Sequence, residues 1–344
     1  MKDIEQKSIN VAKGLIMDMV RNANSGHTGG PFSSINFAYT LYKDFLKFDP
    51  DNPEWIDRDR FVLSCGHESA LIYALLTFMG WLDIKDLKQF RQLHSKTPGH
   101  PERGITPGVD ATTGPLGQGI GNAVGMAVAE TSLRETFGKD LFNHYTWFLH
   151  SDGDIQEPVA QGAIAMAGHW GLGKLIGYYD SNEIQISGNV SRSDSTNYNL
   201  LYKANNWHVQ QVDGNNRESI RDAIRIAQME TEKPSIIIGQ SNIAAGCATM
   251  EGNADTHGAP LPPEEIAKTK EKLGLDPNQY FYLPNDIIND FQKGFEYARQ
   301  EVLSWNSILS NNLDSEDFRE KWEIAINEKL PNISWPRFKE GSNI

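Results

Sequence analysis

The sequence is poor in cysteine, in long apolar runs and in positive charge. Among 344 residues there are two cysteines, too few for a disulfide framework, so we expect a reducing, cytoplasmic location. The longest apolar run, residues 70–82, is too short to span a bilayer and predicts a buried helix. The first residues are too charged for a secretory signal peptide. A net charge of −13 disfavours nucleic acid or an anionic membrane as the main partner.

Strand patterns alternate with helical patterns over most of the chain. Strands are predicted at residues 59–64, 145–149, 174–179, 207–212 and 234–240. This alternation predicts an α/β fold, an open mainly parallel sheet with helices on both faces. From residue 262 the pattern changes to charged helices, predicted at 264–273, 286–303 and 314–329. We therefore expect an α/β domain over residues 1–261 and a C-terminal helical extension over residues 262–344.

The most informative stretch is residues 150–186, HSDGDIQEPVAQGAIAMAGHWGLGKLIGYYDSNEIQI. It predicts a βαβ unit, in which the ends of both strands meet at one edge of the sheet, where ligands bind. Asp152 and Asn182 should therefore be neighbours in space. A carboxylate, an amide oxygen and a backbone carbonyl are suitable ligands for Mg²⁺ bound to a diphosphate. Either residue alone would more often cap a helix, but the pair favours the metal site.

Glycine-rich turns and histidines point to the same edge. The turns GHTGGP, GPLGQGIGNAVG and SDGD each expose backbone N–H groups that a phosphate could approach. Four of the nine histidines lie in or beside such loops: His27, His67, His100 and His257. A single loop histidine is usually solvated or structural. Four in loops that converge at a ligand edge favour proton transfer and hydrogen bonding to sugar or phosphate groups.

These segments, together with DRDRFVLSCGHESALIYALL, FRQLHSKTPGHPE, LGKLIGYYDSNEIQISG and THGAPL, resemble the N-terminal half of transketolase. The likeness is continuous to about Leu261, and the residues beyond it resemble the linker to the next domain of that family. The resemblance implies the thiamine diphosphate-binding fold, with thiamine diphosphate and Mg²⁺ (or Ca²⁺) as cofactors. It also implies transfer of a two-carbon ketol group from a ketose phosphate to an aldose phosphate.

The resemblance also implies individual roles. The metal would be bound by Asp152, Asn182 and the backbone oxygen of Ile184. The diphosphate would contact Gly153, His67 and His257, and the aminopyrimidine would lie along Gly114, Pro115 and Leu116. Proton transfer and substrate orientation would fall to His27, His100 and His257. Arg91 and Lys96 could hold a substrate phosphate, although a solvated role is equally compatible with their positions.

Two positions in the central stretch depart from the family pattern, and GHTGGP also differs slightly from the commoner GHPGAP. Ser151 replaces the first glycine of the usual GDG, a change that still allows the turn. Gly162 stands where transketolases usually carry a second glutamate beyond Glu157. In the family that glutamate pair helps to link two active sites across the subunit interface, and the sequence leaves open whether such communication exists here.

The resemblance does not extend to the pyrimidine-binding domain, whose glutamate activates the cofactor in transketolases. We therefore expect the chain to be inactive alone and to act with a C-terminal transketolase subunit, two copies of each chain forming the assembly. A fragment of a full-length enzyme would give the same sequence. Three alternatives remain: a donor that is a sulfonated or branched ketose, a non-catalytic regulatory paralogue, and an unrelated Mg²⁺–nucleotide protein. The last is disfavoured because the chain has no Walker-type lysine loop.

Overall fold

The computed structural model describes residues 2–326 of the chain. The helices, in chain order, are α1 (Lys2–Ala23), α2 (Gly29–Asp44), α3 (Ser69–Met79), α4 (Ile84–Leu87), α5 (Gln118–Phe137), α6 (Asp152–Ile155), α7 (Pro158–Trp170), α8 (Tyr198–Ala204), α9 (Arg217–Met229), α10 (Pro263–Lys272), α11 (Asn285–Phe291), α12 (Phe295–Asn312) and α13 (Glu316–Ala325). The strands are β1 (Arg60–Leu63), β2 (Thr146–Ser151), β3 (Leu175–Ser181), β4 (Ile184–Gln185), β5 (Gly188–Asn189), β6 (His208–Asp213) and β7 (Ser235–Gln240). Short 3-10 turns lie at Gly66–Glu68, Val190–Arg192, Ala254–Thr256 and Gln292–Gly294.

Five strands form one parallel sheet in the order β1-β2-β3-β7-β6. The register pairs Ser151 at the end of β2 with Asp180 near the end of β3. The parallel α/β architecture expected from the sequence is thus confirmed, and each predicted strand is present within a residue or two of its predicted limits. A separate two-stranded antiparallel hairpin, β4–β5, follows β3 and was not predicted.

Both faces of the sheet are covered, as expected for parallel strands. Along β3, successive side chains point to opposite faces of the sheet, and apolar residues on both faces allow both to be covered. Ile176 and Tyr178 point into a core shared with α1, α2 and α3, whereas Leu175 and Tyr179 belong to a second core with α5 and α7. The apolar run over residues 70–82 is α3, and every residue of this helix is buried, which confirms the predicted buried helix.

The helical extension packs against the α/β domain. Ile287 and Phe291 of α11 join the core that contains α1 and α3. Trp305 and Trp322, from α12 and α13, form a third apolar cluster with Phe142, which precedes β2. The division into residues 1–261 and 262–344 remains a prediction, since the extension shares apolar cores with the preceding domain.

The helix limits in the extension differ from the prediction. The helix expected at 286–303 is two helices, α11 and α12, separated by the 3-10 turn Gln292–Gly294. The helix expected at 314–329 is observed as α13, and residues 327–329 lie outside the described residues. Helices α4 and α8 were not predicted, because each is too short for an apolar period to be recognised. Within residues 2–326 no helix is long and apolar enough to cross a membrane.

Candidate active site

The carboxyl edge of the sheet brings Asp152 and Asn182 together. Asp152 begins α6 directly after β2, and Asn182 follows β3. Asp152 Oδ2 accepts hydrogen bonds from the backbone N–H groups of Asn182 at 3.2 Å and of Glu183 at 2.9 Å. Its Oδ1 accepts the hydroxyl of Tyr179 at 2.5 Å. Glu183 has a φ of 64°, a left-handed conformation that turns its N–H towards the carboxylate. The parallel register therefore produces the juxtaposition that the βαβ pattern predicts.

The amide of Asn182 has a defined orientation. Its Nδ2 donates to Asp180 Oδ2 at 2.8 Å, and its Oδ1 accepts the backbone N–H of Ile184 at 3.1 Å. Ile184 begins the β4–β5 hairpin, whose first residue pairs with Asn189. The third predicted metal ligand, the backbone oxygen of Ile184, therefore belongs to a residue two positions beyond Asn182, and the N–H of the same residue donates to the Asn182 side chain. A loop of this kind places oxygen ligands close together without a long-range contact.

The oxygen groups at this edge fit a divalent cation. Burial, followed by the charge of Asp180, raises the pKa of Asp152 to about 7. No lysine or arginine forms an ion pair with this carboxylate among residues 2–326. A cation bound here would supply the missing positive charge. The described residues include no cluster of three or more His, Cys, Asp or Glu side chains able to hold a metal, so the predicted site depends on the oxygens of Asn182 and Ile184 beside the carboxylate of Asp152.

A cleft of about 360 Å³ borders Asp152 on the α8 side of the sheet. Its lining includes Tyr179, Glu183 and Tyr198, so Asp152 lies beside an open space and not in a closed apolar core.

Three of the four loop histidines form one cluster. The ring centroids of His27 and His67 are 4.7 Å apart, those of His27 and His257 are 5.6 Å apart, and those of His67 and His257 are 5.4 Å apart. His27 precedes α2, His67 lies in the turn after β1, and His257 lies in the loop after β7. Three loops thus converge at the same edge. His100 lies against Gly114, where its ring would be 3.4 Å from a Cβ placed on this glycine.

Burial favours the neutral form of all four histidines by lowering the pKa of each ring. Burial and the neighbouring His257 lower the pKa of His27 to about 3. Burial and His27 place the pKa of His67 well below its usual range. Burial lowers the pKa of His257, and burial together with Arg91 lowers that of His100. Neutral imidazoles can both donate and accept hydrogen bonds, which is what positioning of sugar hydroxyls and phosphate oxygens requires.

The segment Gly114–Pro115–Leu116 lies between the turn that follows β1 and the turn that follows β2. A Cβ on Gly66 would lie 2.9 Å from the backbone N of Gly114, so this loop and the His67 turn are in close contact. On its other side, the Leu116 side chain would lie 3.6 Å from a Cβ on Gly153. The predicted aminopyrimidine segment and the predicted diphosphate-binding glycine therefore face each other across a narrow gap.

The family comparisons identify the chain. A model of the transketolase thiamine diphosphate-binding domain matches residues 4–331. The chain belongs to the transketolase family. It is similar to transketolase of Bacillus subtilis, with 43% identity over 100% of this chain and 53% of that protein, and to transketolase 1 of Pasteurella multocida, with 49% identity over 81% of this chain and 42% of that protein.

Solved transketolase structures share the fold. The transketolase from Campylobacter jejuni matches with a TM-score of 0.90 and 39% identity, over 98% of this chain and 53% of that one. The transketolase from Leishmania mexicana matches with a TM-score of 0.90 and 38% identity, over 96% and 51% respectively. The chain spans about half the length of the transketolases that it matches.

The two departures from the transketolase pattern are visible in the structure. Ser151 is the last residue of β2 and precedes α6 with extended backbone angles, so the turn into Asp152 forms with serine at this position. Gly162 lies exposed on α7, and a Cβ at this position would meet no atom within 4 Å. A longer side chain at residue 162 would therefore extend away from this chain.

Arg91 and Lys96 occupy different environments. The Arg91 guanidinium donates to Ser25 Oγ at 2.9 Å and lies against Gly99, so it joins the loops that carry His27 and His100. Lys96 is exposed. A phosphate-binding role remains a prediction for both residues.

Three buried carboxyl groups at this edge were not assigned a role from the sequence. Asp154 accepts the backbone N–H of Gly117, Asp180 accepts donors from α2, from the turn after β3 and from the loop after β7, and Glu68 accepts the hydroxyl of Ser34 at 3.3 Å. Burial raises the pKa of each, that of Asp154 to about 6. Each lies within two residues of a predicted site residue, and this proximity in the sequence is the feature from which a role could have been predicted.

Proposed function

We propose that this chain provides the metal and diphosphate half of a transketolase active site. The observation that supports this most strongly is the direct hydrogen bond between Asp152 and the backbone of Asn182, at the same sheet edge as a cluster of three histidines. Separately, acidic strand ends and loop histidines are common. Their meeting at the carboxyl edge of a parallel sheet is the arrangement that a metal-bound diphosphate requires.

In this proposal Mg²⁺ (or Ca²⁺) is bound by Asp152, by Asn182 Oδ1 and by the backbone oxygen of Ile184. The diphosphate of thiamine diphosphate is contacted by Gly153, His67 and His257. Support comes from the unneutralised buried carboxylate of Asp152 and from the absence of a Cβ at residue 153, which leaves the approach to this turn open. The aminopyrimidine lies along Gly114, Pro115 and Leu116.

When bound, thiamine diphosphate supplies the carbanion needed to break and re-form the ketose carbon–carbon bond. The contribution of this chain is orientation and proton transfer. His27, His100 and His257 are placed to hydrogen-bond the hydroxyl groups of a ketose or aldose phosphate. In this proposal the ring nitrogens of His27 and His257 also accept a proton from a hydroxyl and return it.

The remainder of the site, in this proposal, comes from a C-terminal transketolase subunit that carries the pyrimidine-binding domain. Two copies of each chain form the assembly. A pyrimidine-binding domain on a continuation of the same polypeptide would complete the site equally well. The two arrangements differ in whether a second chain must be added for activity.

The test combines binding and turnover. Thiamine diphosphate is titrated into the chain at several Mg²⁺ concentrations, with and without the pyrimidine-domain chain, and ketol transfer is assayed from xylulose 5-phosphate and from a sulfonated ketose. We expect saturable, Mg²⁺-dependent binding and transfer only when both chains are present. Saturable binding without transfer from either donor would indicate a regulatory role, and no binding at all would overturn the proposal.

A further inference from the structure

Asp180 is a buried carboxylate at the end of β3 that joins three separate segments. It is 0% exposed, and its partners are all neutral side chains. Oδ2 accepts the hydroxyl of Ser33 and the Nδ2 of Asn182, the latter at 2.8 Å, and Oδ1 accepts the hydroxyl of Ser241 at 2.6 Å. No lysine or arginine within residues 2–326 forms an ion pair with it. Such a carboxylate acts through hydrogen-bond direction and not through pairing with a cation.

The direction matters because an asparagine amide has two nearly equal ends. One end carries two N–H donors, and the other carries an oxygen with two lone pairs. With Nδ2 of Asn182 held by Asp180, Oδ1 points the opposite way, where one lone pair accepts the N–H of Ile184 at 3.1 Å. The second lone pair stays available. If the amide turned over, it would present N–H groups in this direction, which repel a cation.

We propose that Asp180 is a positioning residue that fixes the Asn182 amide with its oxygen towards the divalent cation. The inference rests on the proposed function, since it assigns a role towards the same cation. Groups that orient a metal ligand typically change metal affinity by about 10- to 100-fold when they are lost. Ser33 lies in the second turn of α2, the helix that follows the His27 loop, so the same carboxylate also fixes this loop relative to Asn182.

The decisive variant is Asp180→Asn, which preserves size but replaces an acceptor oxygen by an N–H donor. Thiamine diphosphate binding to the assembled enzyme is measured as a function of Mg²⁺ concentration. We expect about 10- to 100-fold more Mg²⁺ to be needed for half-saturation, with thiamine diphosphate affinity recovered within about threefold at saturating Mg²⁺. Ca²⁺ accepts less regular ligand geometry, so the shift with Ca²⁺ should be smaller than with Mg²⁺.

Two further variants separate positioning from general damage. Asp18→Asn removes another buried carboxylate, which accepts the backbone N–H of Phe281, and should leave the Mg²⁺ requirement unchanged. Ser241→Ala removes one donor to Asp180 at a partly exposed position. It should raise the Mg²⁺ requirement by a smaller factor, and it keeps the test available if Asp180→Asn does not fold.

The outcomes distinguish this inference from the function beneath it. A wild-type enzyme that binds thiamine diphosphate without any divalent cation contradicts the proposed function and the inference together. If the wild-type enzyme shows normal Mg²⁺ dependence, the proposed function stands, and either of two results with the variants would overturn the role of Asp180 alone. The first is an unchanged Mg²⁺ requirement in Asp180→Asn and Ser241→Ala. The second is weaker cofactor binding that excess Mg²⁺ does not restore.

Discussion

The backbone N–H of Asn182 donates to Oδ2 of Asp152 at 3.2 Å, across a separation of 30 residues. The contact arises from the parallel pairing of β2 with β3, because the register that aligns Ser151 with Asp180 brings the residues after both strands to the same edge. The N–H of Asn182 donates to Oδ2 of the carboxylate, and the hydroxyl of Tyr179 donates to Oδ1. Asp152 is thus held from two sides before any ligand arrives, which is the pre-organisation expected of a metal ligand.

Asp152→Ala should abolish Mg²⁺-dependent binding of thiamine diphosphate. The substitution removes the one charged side chain among the proposed ligands. We therefore expect metal affinity to fall by roughly 100-fold or more, which exceeds the usual effect of losing a group that only orients a ligand. Calorimetric titration of the cofactor in the presence of Mg²⁺ measures the change. Asp194→Ala is the matched control, since Asp194 lines the same cleft but is not a proposed ligand. Near-normal binding by Asp152→Ala would remove this residue from the site.

His257→Ala should lower turnover without unfolding the chain. The centroid of its ring lies 5.6 Å from that of His27 and 5.4 Å from that of His67, and in the proposal its loss removes one of the three histidines, with His27 and His100, that face the substrate. General acid–base groups contribute about 10²- to 10⁴-fold to rate, and we expect kcat to fall within this range. The assay is ketol transfer by the assembled enzyme, with circular dichroism as the check on folding. His169→Ala, an exposed position on α7, should have no effect.

Acidification should destabilise the chain through His150. Burial lowers the pKa of this imidazole to about 3, and its ring accepts the Tyr202 hydroxyl at 2.9 Å. The unfolded chain takes up this proton near pH 6.5 and the folded chain does not, so stability is intact above pH 6.5 and falls below it, by about 1.4 kcal/mol per pH unit down to pH 3.

The difference between the wild type and His150→Gln isolates this effect. Other groups titrate in the same range with the opposite sign, among them Asp59, whose pKa burial raises to about 6. Urea unfolding at pH 7, 6 and 5 should therefore show a shallower decline for His150→Gln than for the wild type. Parallel declines in the two proteins would mean that His150 is protonated in the folded state.

The sequence was sufficient for the sheet and for the edge where the site lies. Short apolar stretches define most of the strands, β6 (HVQQVD) being mixed apolar and polar, and the parallel arrangement follows from the intervening helices. The sequence was insufficient for the hydrogen-bond network beneath the site. Asp180 lies in a strand-end motif and Glu68 in a turn motif. Their hydrogen-bond partners, Ser33 and Ser34 respectively, lie in α2, more than thirty residues away along the chain. Periodicity carries no information about such tertiary contacts.

Gly117→Ala should destabilise the loop that carries Gly114, Pro115 and Leu116. Gly117 has a φ of 79°, and a Cβ there would lie 2.6 Å from Cβ of Glu157. Both the left-handed backbone and the clash are unfavourable, and the clash would also move the N–H that Asp154 accepts. We expect a loss of about 2 kcal/mol or more in unfolding free energy.

Gly104→Ala separates the two contributions to this loss. Gly104 has a φ of 84°, but a Cβ there would meet no atom within 4 Å. Chemical denaturation should show a loss of only about 1 kcal/mol for Gly104→Ala, since only the backbone conformation is penalised. Equal losses at residues 104 and 117 would show that the contact with Glu157 has no energetic effect.

Lys270→Met should loosen the helical extension from the α/β domain. Lys270 Nζ lies 2.7 Å from Asp18 Oδ1, and both side chains are at most 2% exposed, so the pair joins α10 to α1 inside the protein. Removing the lysine leaves the carboxylate buried without a cation, and losses of about 3 to 5 kcal/mol are typical of this change. The double variant Asp18→Asn with Lys270→Met removes both charges and should recover part of the loss. Urea denaturation of the single and double variants forms a thermodynamic cycle, and strictly additive losses would show that the two residues do not interact.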